Sequence, residues 1–294
     1  MIYDVRGKDE EWVLNQFNDQ LSKNIIVYQK EEKGHFLGDY SIFCNALHFY
    51  ADIHGDLTKR AFERMEPHAH LLGWGDDEYQ TIRKASEYNI GVLPADWAFN
   101  LSTLTNFNAD IKQEPLLHQN TQIENKHIAC FLMSDGDNIQ WLLNIFAEDP
   151  RWFSNTNRGM MPVGWTAPPS MSELAPTVLK KIYSMSANTS TGNDYFVAGP
   201  SGRSYLFPSF YNKLDQECNK LNDYMYKSDL SIVNVIGINN SFHDLYHYTM
   251  QDHIDALFTY DFTNYSKDFG HIMCDGTKPI IAGRYNLWGG FESC

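Results

Sequence analysis

The sequence predicts an α/β fold built on a barrel-like parallel sheet, with a short α/β appendage at the N-terminus. Three observations lead there. Eight apolar runs recur between residues 69 and 288, and helical stretches separate several of them. The runs are nearly continuously apolar rather than alternating, as in strands buried on both faces. Eight of them make a (β/α)-barrel the leading architecture, with a doubly wound open sheet as the alternative. No G-x-G-x-x-G follows the first strand, so a dinucleotide fold has no support.

The elements follow in order. Residues 1–34 form the appendage, with "DEEWVLNQFNDQL" as a helix and "NIIVYQK" as a strand. "EEKGHF" is a charged link, and "GDYSIFCNALHFYADI" spaces its apolar residues as a helix does. Residues 35–294 then carry the barrel. Its strands are expected in "AHLLGWG", "IGVLPADW", "HIACFLMSDGDN", "GMMPVGWTAPP", "DYFVAGPSG", "SIVNVIGINN", "ALFTYDF" and "PIIAGRYNLW". Helices are expected in "DDEYQTIRKASEY", "IQWLLNIFAED", "SELAPTVLKKIYSM", "YNKLDQECNKLNDYMY" and "HDLYHYTMQDHI".

Composition narrows the function. With 23 Lys+Arg against 37 Asp+Glu the formal charge is −14. Such a surface repels phosphate backbones and anionic lipid, so nucleic acid and membrane are poor partners. No run of about 20 apolar residues is present to span a bilayer, and "MIYDVRGKDEEW" has neither the basic nor the apolar part of a signal peptide. Five scattered cysteines without a CxxC argue against a disulfide framework or structural zinc. Aromatic residues make up 14% of the chain, including 17 Tyr and 7 Trp. Tyr and Trp pair an apolar face with a polar handle, which suits sugars.

Parallel α/β folds place their chemistry at the C-terminal ends of the strands. Carboxylates and rings gather at those positions: Trp74 and Glu78, Asp96, Asp135, Asp137 and Asn138, Trp165, Tyr205, Asp261, Arg284 and Trp288. Glycosidic cleavage needs two carboxyl groups, one as acid and one as base or nucleophile. Asp135 and Asp137 alternate about Gly136 and form the sharpest pair, with Asp96, Glu78 or Asp261 as a second acid. The competing role for "SDGDN" is a turn that caps the next helix. Trp74, Trp165, Tyr205, Asn138, Asp261, Arg284 and Trp288 are expected to contact substrate. "HAH" and "HDLYH" offer His68, His70, His243 and His247, but the first lies at the wrong end of its strand. In the second, Asp244 is a short substitute for the glutamate of HExxH, so neither is expected to hold metal. No cofactor is expected.

Gly202-Arg203-Ser204-Tyr205-Leu206-Phe207-Pro208 resembles the signature of the GxGYxYP putative glycoside hydrolases, with Ser204 for the second Gly and Phe207 for the second Tyr. "LGWGDDE", "ASEYNIGVLPADWAFNLSTL", "MSDGDNIQW" and "AGRYNLW" resemble further family segments, in the same order. The resemblance runs from about residue 36 to the end, with the N-terminal piece as the tail of a smaller leading domain. It implies a barrel-like domain, carbohydrate processing, secretion, and a cleft-lining loop in which Tyr205 meets ligand. Family members look longer at both ends, so the chain is expected to be a fragment or a shortened family member, with an open barrel if closing strands are missing. Three functions stay open: a glycoside hydrolase, a metal-dependent carbohydrate deacetylase, and a sugar-binding protein without catalysis.

Overall fold

The computed structural model describes residues 4, 6–115, 125, 127–134, 136–187, 192–265, 267–268, 270–275 and 278–285. The chain begins with α1 (Glu10–Phe17), β1 (Ile25–Tyr28), α2 (Gly38–Phe43), β2 (Leu47–Phe49) and α3 (Asp56–Glu63). β3 (Ala69–Gly73), α4 (Glu78–Glu87), β4 (Ile90–Leu93) and α5 (Leu101–Leu104) follow. Next come β5 (Leu132–Met133), α6 (Ile139–Leu143), β6 (Gly164–Ala167), α7 (Met171–Leu174) and α8 (Pro176–Tyr183). β7 (Tyr195–Ala198), α9 (Leu214–Ser228), β8 (Ile232–Gly237) and α10 (Phe242–Thr249) lead to β9 (Ala256–Asp261), β10 (Ile272–Asp275) and β11 (Lys278–Ala282).

The α/β class and the parallel pairing agree with the sequence, but the strands do not form one closed barrel among the described residues. They form two sheets. A four-stranded sheet runs β2-β1-β3-β4, and a seven-stranded sheet runs β10-β11-β9-β8-β7-β6-β5. All ladders are parallel except β10 with β11.

A closed barrel would need β4 to pair with β5. The free edge of β4 is taken instead by the segment after β7. Val92 N–H donates to the Tyr205 carbonyl and Tyr205 N–H donates to the Val92 carbonyl, both at 2.8 Å. An edge whose backbone groups are already paired has nothing left to offer another strand. Pro94, which lacks an N–H, then ends β4.

Two local expectations change as well. The helix expected over "GDYSIFCNALHFYADI" stops at Phe43. Asn45 takes a left-handed φ of 52°, and the chain enters β2, which pairs with β1. β1, from the expected appendage, is therefore an interior strand between β2 and β3. Burial follows the strand period. In β3, Leu71 and Leu72 point into two different apolar clusters, each fully buried. No helix among the described residues is long and apolar enough to cross a membrane.

Candidate active site

Two of the sequence-predicted carboxylates, Asp96 and Asp137, stand on the loops that follow β4 and β5. Beyond β4, Ala95 and Ala98 are fully buried and pin the loop from beneath. Asp96 between them is 5% exposed. Its carboxylate pairs with the Lys33 ammonium, and its carbonyl accepts from Gln29 Nε2 at 2.9 Å. The same ammonium lies 5.1 Å from the centroid of the Trp97 ring.

At the end of β5 the turn is built by Thr166 of β6. Its hydroxyl donates to the Met133 carbonyl and accepts from Gly136 N–H, each at 2.8 Å. A Cβ on residue 136 would overlap the Thr166 carbonyl, so only glycine lets the turn approach β6 this closely. Asp137 follows and is buried; its carbonyl accepts from Ile139 N–H at 2.8 Å. Asn138 occupies the N-cap position of α6, yet its side chain makes no capping hydrogen bond. Asp135 lies outside the described residues.

α6 ties the two loops together. Gln140 N–H donates to the Pro94 carbonyl at 3.3 Å, and Gln140 Oε1 accepts from Trp97 N–H at 3.0 Å. Asn144 Nδ2 donates to the Trp97 carbonyl at 3.0 Å. Asp96 and Asp137 thus stand on loops clamped to one another, although β4 and β5 do not pair.

Glu78 joins from α4, whose N-terminus Asp77 caps by accepting Gln80 N–H at 2.8 Å. Glu78 is exposed, and its Oε1 accepts the Tyr205 hydroxyl at 3.0 Å. Tyr205 itself is 2% exposed, so its ring face is closed to solvent. Burial first, then the charges of Glu78 and Asp137, push its phenol well above the ordinary range. Both carboxylates therefore act on one buried hydroxyl.

The rest of the signature stretch is structural. Arg203 makes a two-pronged pair with Glu217 of α9, at 2.9 Å for each bond. Ser204 has no positive φ, so replacing glycine there costs no backbone strain. Phe207 is fully buried against Tyr205 and Phe262, which removes it from any ligand.

The other expected contacts disperse. Trp165 is 4% exposed, with its ring in the core against Phe146 and Phe153 of the segment between α6 and β6. Trp74 is half-buried against the second cluster. Asp261 organises its own loop. Burial alone would raise its pKa, but hydrogen bonds from Thr263, Asn239 and Lys267 hold it down at about 2. Arg284 is exposed, with its guanidinium 5.2 Å from the Tyr285 ring centroid. Trp288 lies outside the described residues.

His68 and His70 sit at the N-terminal end of β3, within the Arg203–Glu217 network. His243 and His247 pack edge to face at 4.7 Å, and Asp244 is spent in a capping box with Ser241.

Sequence reasoning placed Trp97 and Thr166 at strand ends without giving either a role, and missed Lys33, Gln29 and Gln140. Lys33 and Gln29 follow a strand, β1, and would have been visible had that strand been counted in the sheet.

The comparisons with known proteins give the family. Residues 125–293 match the GxGYxYP putative glycoside hydrolase C-terminal domain, and residues 23–106 match the GxGYxYP third domain. The chain belongs to this family. A crystal structure of a putative hydrolase from Bacteroides thetaiotaomicron is 35% identical and superposes with a TM-score of 0.85. The match covers 98% of this chain and 57% of that one, so the chain spans little more than half of that protein. No protein with a curated description matches.

Proposed function

We propose that this chain is a glycoside hydrolase that cleaves a glycan with carboxylates at the gap between β4 and β5. The observation that carries the reading is the Gln140 clamp, which holds the Asp96 and Asp137 loops together where the two sheets part. Asp137 is the first catalytic choice, because Thr166 fixes its turn and its side chain is buried. Asp96 or Glu78 supplies the second carboxyl group, and Asp135, two positions before Asp137 in the sequence, is a further choice. One group protonates the leaving oxygen, and the other attacks the sugar or activates water. Asn138 and Trp74, at the ends of β5 and β3, are proposed glycan contacts. The segments matched as third and C-terminal domains become the two walls of the site.

The test is cleavage of a glycan panel by the wild type and by Asp137→Asn, Asp96→Asn and Glu78→Gln, with melting temperatures alongside. Removing a proton-transfer group is expected to cost roughly 10²–10⁴ in rate with little change in folding. Full activity in all three variants would remove the carboxylate mechanism.

A further inference from the structure

We propose that Trp97 is the stacking platform of a saccharide subsite, flanked by Phe99, and that the subsite takes a neutral sugar ring. This rests on the glycan-acting reading above. The loop after β4 buries Ala95 and Ala98 completely, yet turns its two large rings outward: Trp97 is 54% exposed and Phe99 46%. Leaving such apolar surface in water forgoes hydrophobic stabilisation that burial would have given. The exposure is not looseness. Trp97 N–H and C=O are both held, by Gln140 and Asn144, at 3.0 Å each. A fixed backbone with an open ring is a presented ring. Phe99 continues the surface, packing on Phe36 with centroids 4.6 Å apart, and Phe36 packs on His35 at 4.0 Å.

The polar groups beside the platform select the ligand class. Lys33 reaches the Trp97 ring and also pairs with Asp96, the residue just before it. A sugar laid on the indole with its C–H face down would meet the Lys33 ammonium with its hydroxyls, and the buried Asp96 carboxylate stands behind that ammonium as its counter-charge. Those two charges already balance each other, so the subsite makes no demand for a charged sugar. An aromatic face bordered by a neutralised ion pair suits a pyranose without carboxylate or sulfate.

The experiment uses the full chain and isothermal titration with cellohexaose, maltohexaose, xylohexaose, mannohexaose and hexagalacturonate. Trp97→Ala, Trp97→Phe and Phe99→Ala are compared with the wild type. For the best neutral hexasaccharide, Trp97→Ala is expected to weaken Kd about tenfold, as loss of an anchoring ring does. Trp97→Phe should retain most of the affinity, Phe99→Ala should lose less than Trp97→Ala, and melting temperatures should hold because the rings lie outside the core. An unchanged Kd in Trp97→Ala, beside a wild type that binds, overturns the platform and leaves the glycan reading standing. Tighter binding of hexagalacturonate than of every neutral probe overturns the ligand class. A wild type that neither binds a probe nor cleaves a glycan overturns both readings together.

Discussion

The phenol of Tyr205 answers to two carboxylates at once, and that sets its role. Its hydroxyl donates to Glu78, while the charge of Asp137 helps to keep it protonated. A buried donor of this kind is suited to orienting Glu78, and no ring face is left for stacking. Tyr205→Phe keeps the ring, the packing against Phe207 and the backbone bridge to Val92. It should therefore cost only about 1 kcal/mol of stability in urea denaturation, the usual worth of one hydrogen bond. If Glu78 is a working carboxylate, turnover should fall tenfold or more in the same variant, since one turn of side-chain freedom misplaces the reacting atom. Turnover equal to the wild type would leave Asp96 and Asp137 as the working pair and Glu78 as a helix-terminal acid.

At the scale of elements, the turn after β5 depends on two small features. Thr166 ties the Met133 carbonyl to the Gly136 amide, and Gly136 leaves the space for that tie. Thr166→Val keeps the shape but strands two backbone groups, at a cost of about 1–3 kcal/mol for a buried unsatisfied group. Gly136→Ala should be worse for activity than for stability, because the turn can swing away from β6 and carry Asp137 with it. Circular dichroism melts and glycan cleavage, measured on both variants, check this ordering.

Elements with strong local signals were legible in the sequence. α4 has its Asp77 cap and helical spacing, and β8 is a six-residue run that is apolar apart from Asn234. The break between α2 and β2 was not legible, because "IFCNALHF" is apolar enough for either state. Parallel pairing with β1, twenty residues away, decides it. The parting of the sheets was equally hidden. It depends on Tyr205 reaching Val92 across more than a hundred residues, and no local pattern records that. The strand-end positions of Asp96 and Asp137 were legible because the strands were. The clamp between their loops was not, since Gln140 and Asn144 look like ordinary polar positions on a helix.

On the scale of the whole molecule, the signature segment is the fastening between the two sheets. Tyr205 bridges to β4, and Arg203 reaches the start of β3 and the side of α9. An arginine can only donate, so His70 Nε2, 3.2 Å from Arg203 Nη1, must accept, and Nδ1–H then donates to Ser204 Oγ at 3.2 Å. The network thus needs His70 neutral. Burial, with the charge of Arg203 next, holds the His70 pKa well below its ordinary range. Glu217 has to be ionised. Burial opposes that, but the Arg203 charge and the His68 and Arg203 hydrogen bonds hold its pKa down at about 2.

Both shifts work in the same direction. The unfolded chain takes up a proton on histidine below about pH 6.5 and on glutamate below about 4.3, where the folded network refuses it. Each such proton costs about 1.4 kcal/mol of stability per pH unit. The fastening is therefore at full strength above pH 6.5 and weakens as the solution is acidified, first through His70 and then, from about pH 4.3 towards 2, through Glu217. His48, whose pKa burial also lowers, adds to the upper part of that decline. Urea midpoints measured from pH 7.5 to 4 should be flat at first and then fall. His70→Gln should have a shallower fall between pH 6.5 and 4.5, because one of the refused protons is gone. Equal slopes in the two proteins would mean that His70 is charged in the fold, and the fastening would then have to be drawn without a neutral acceptor for Arg203.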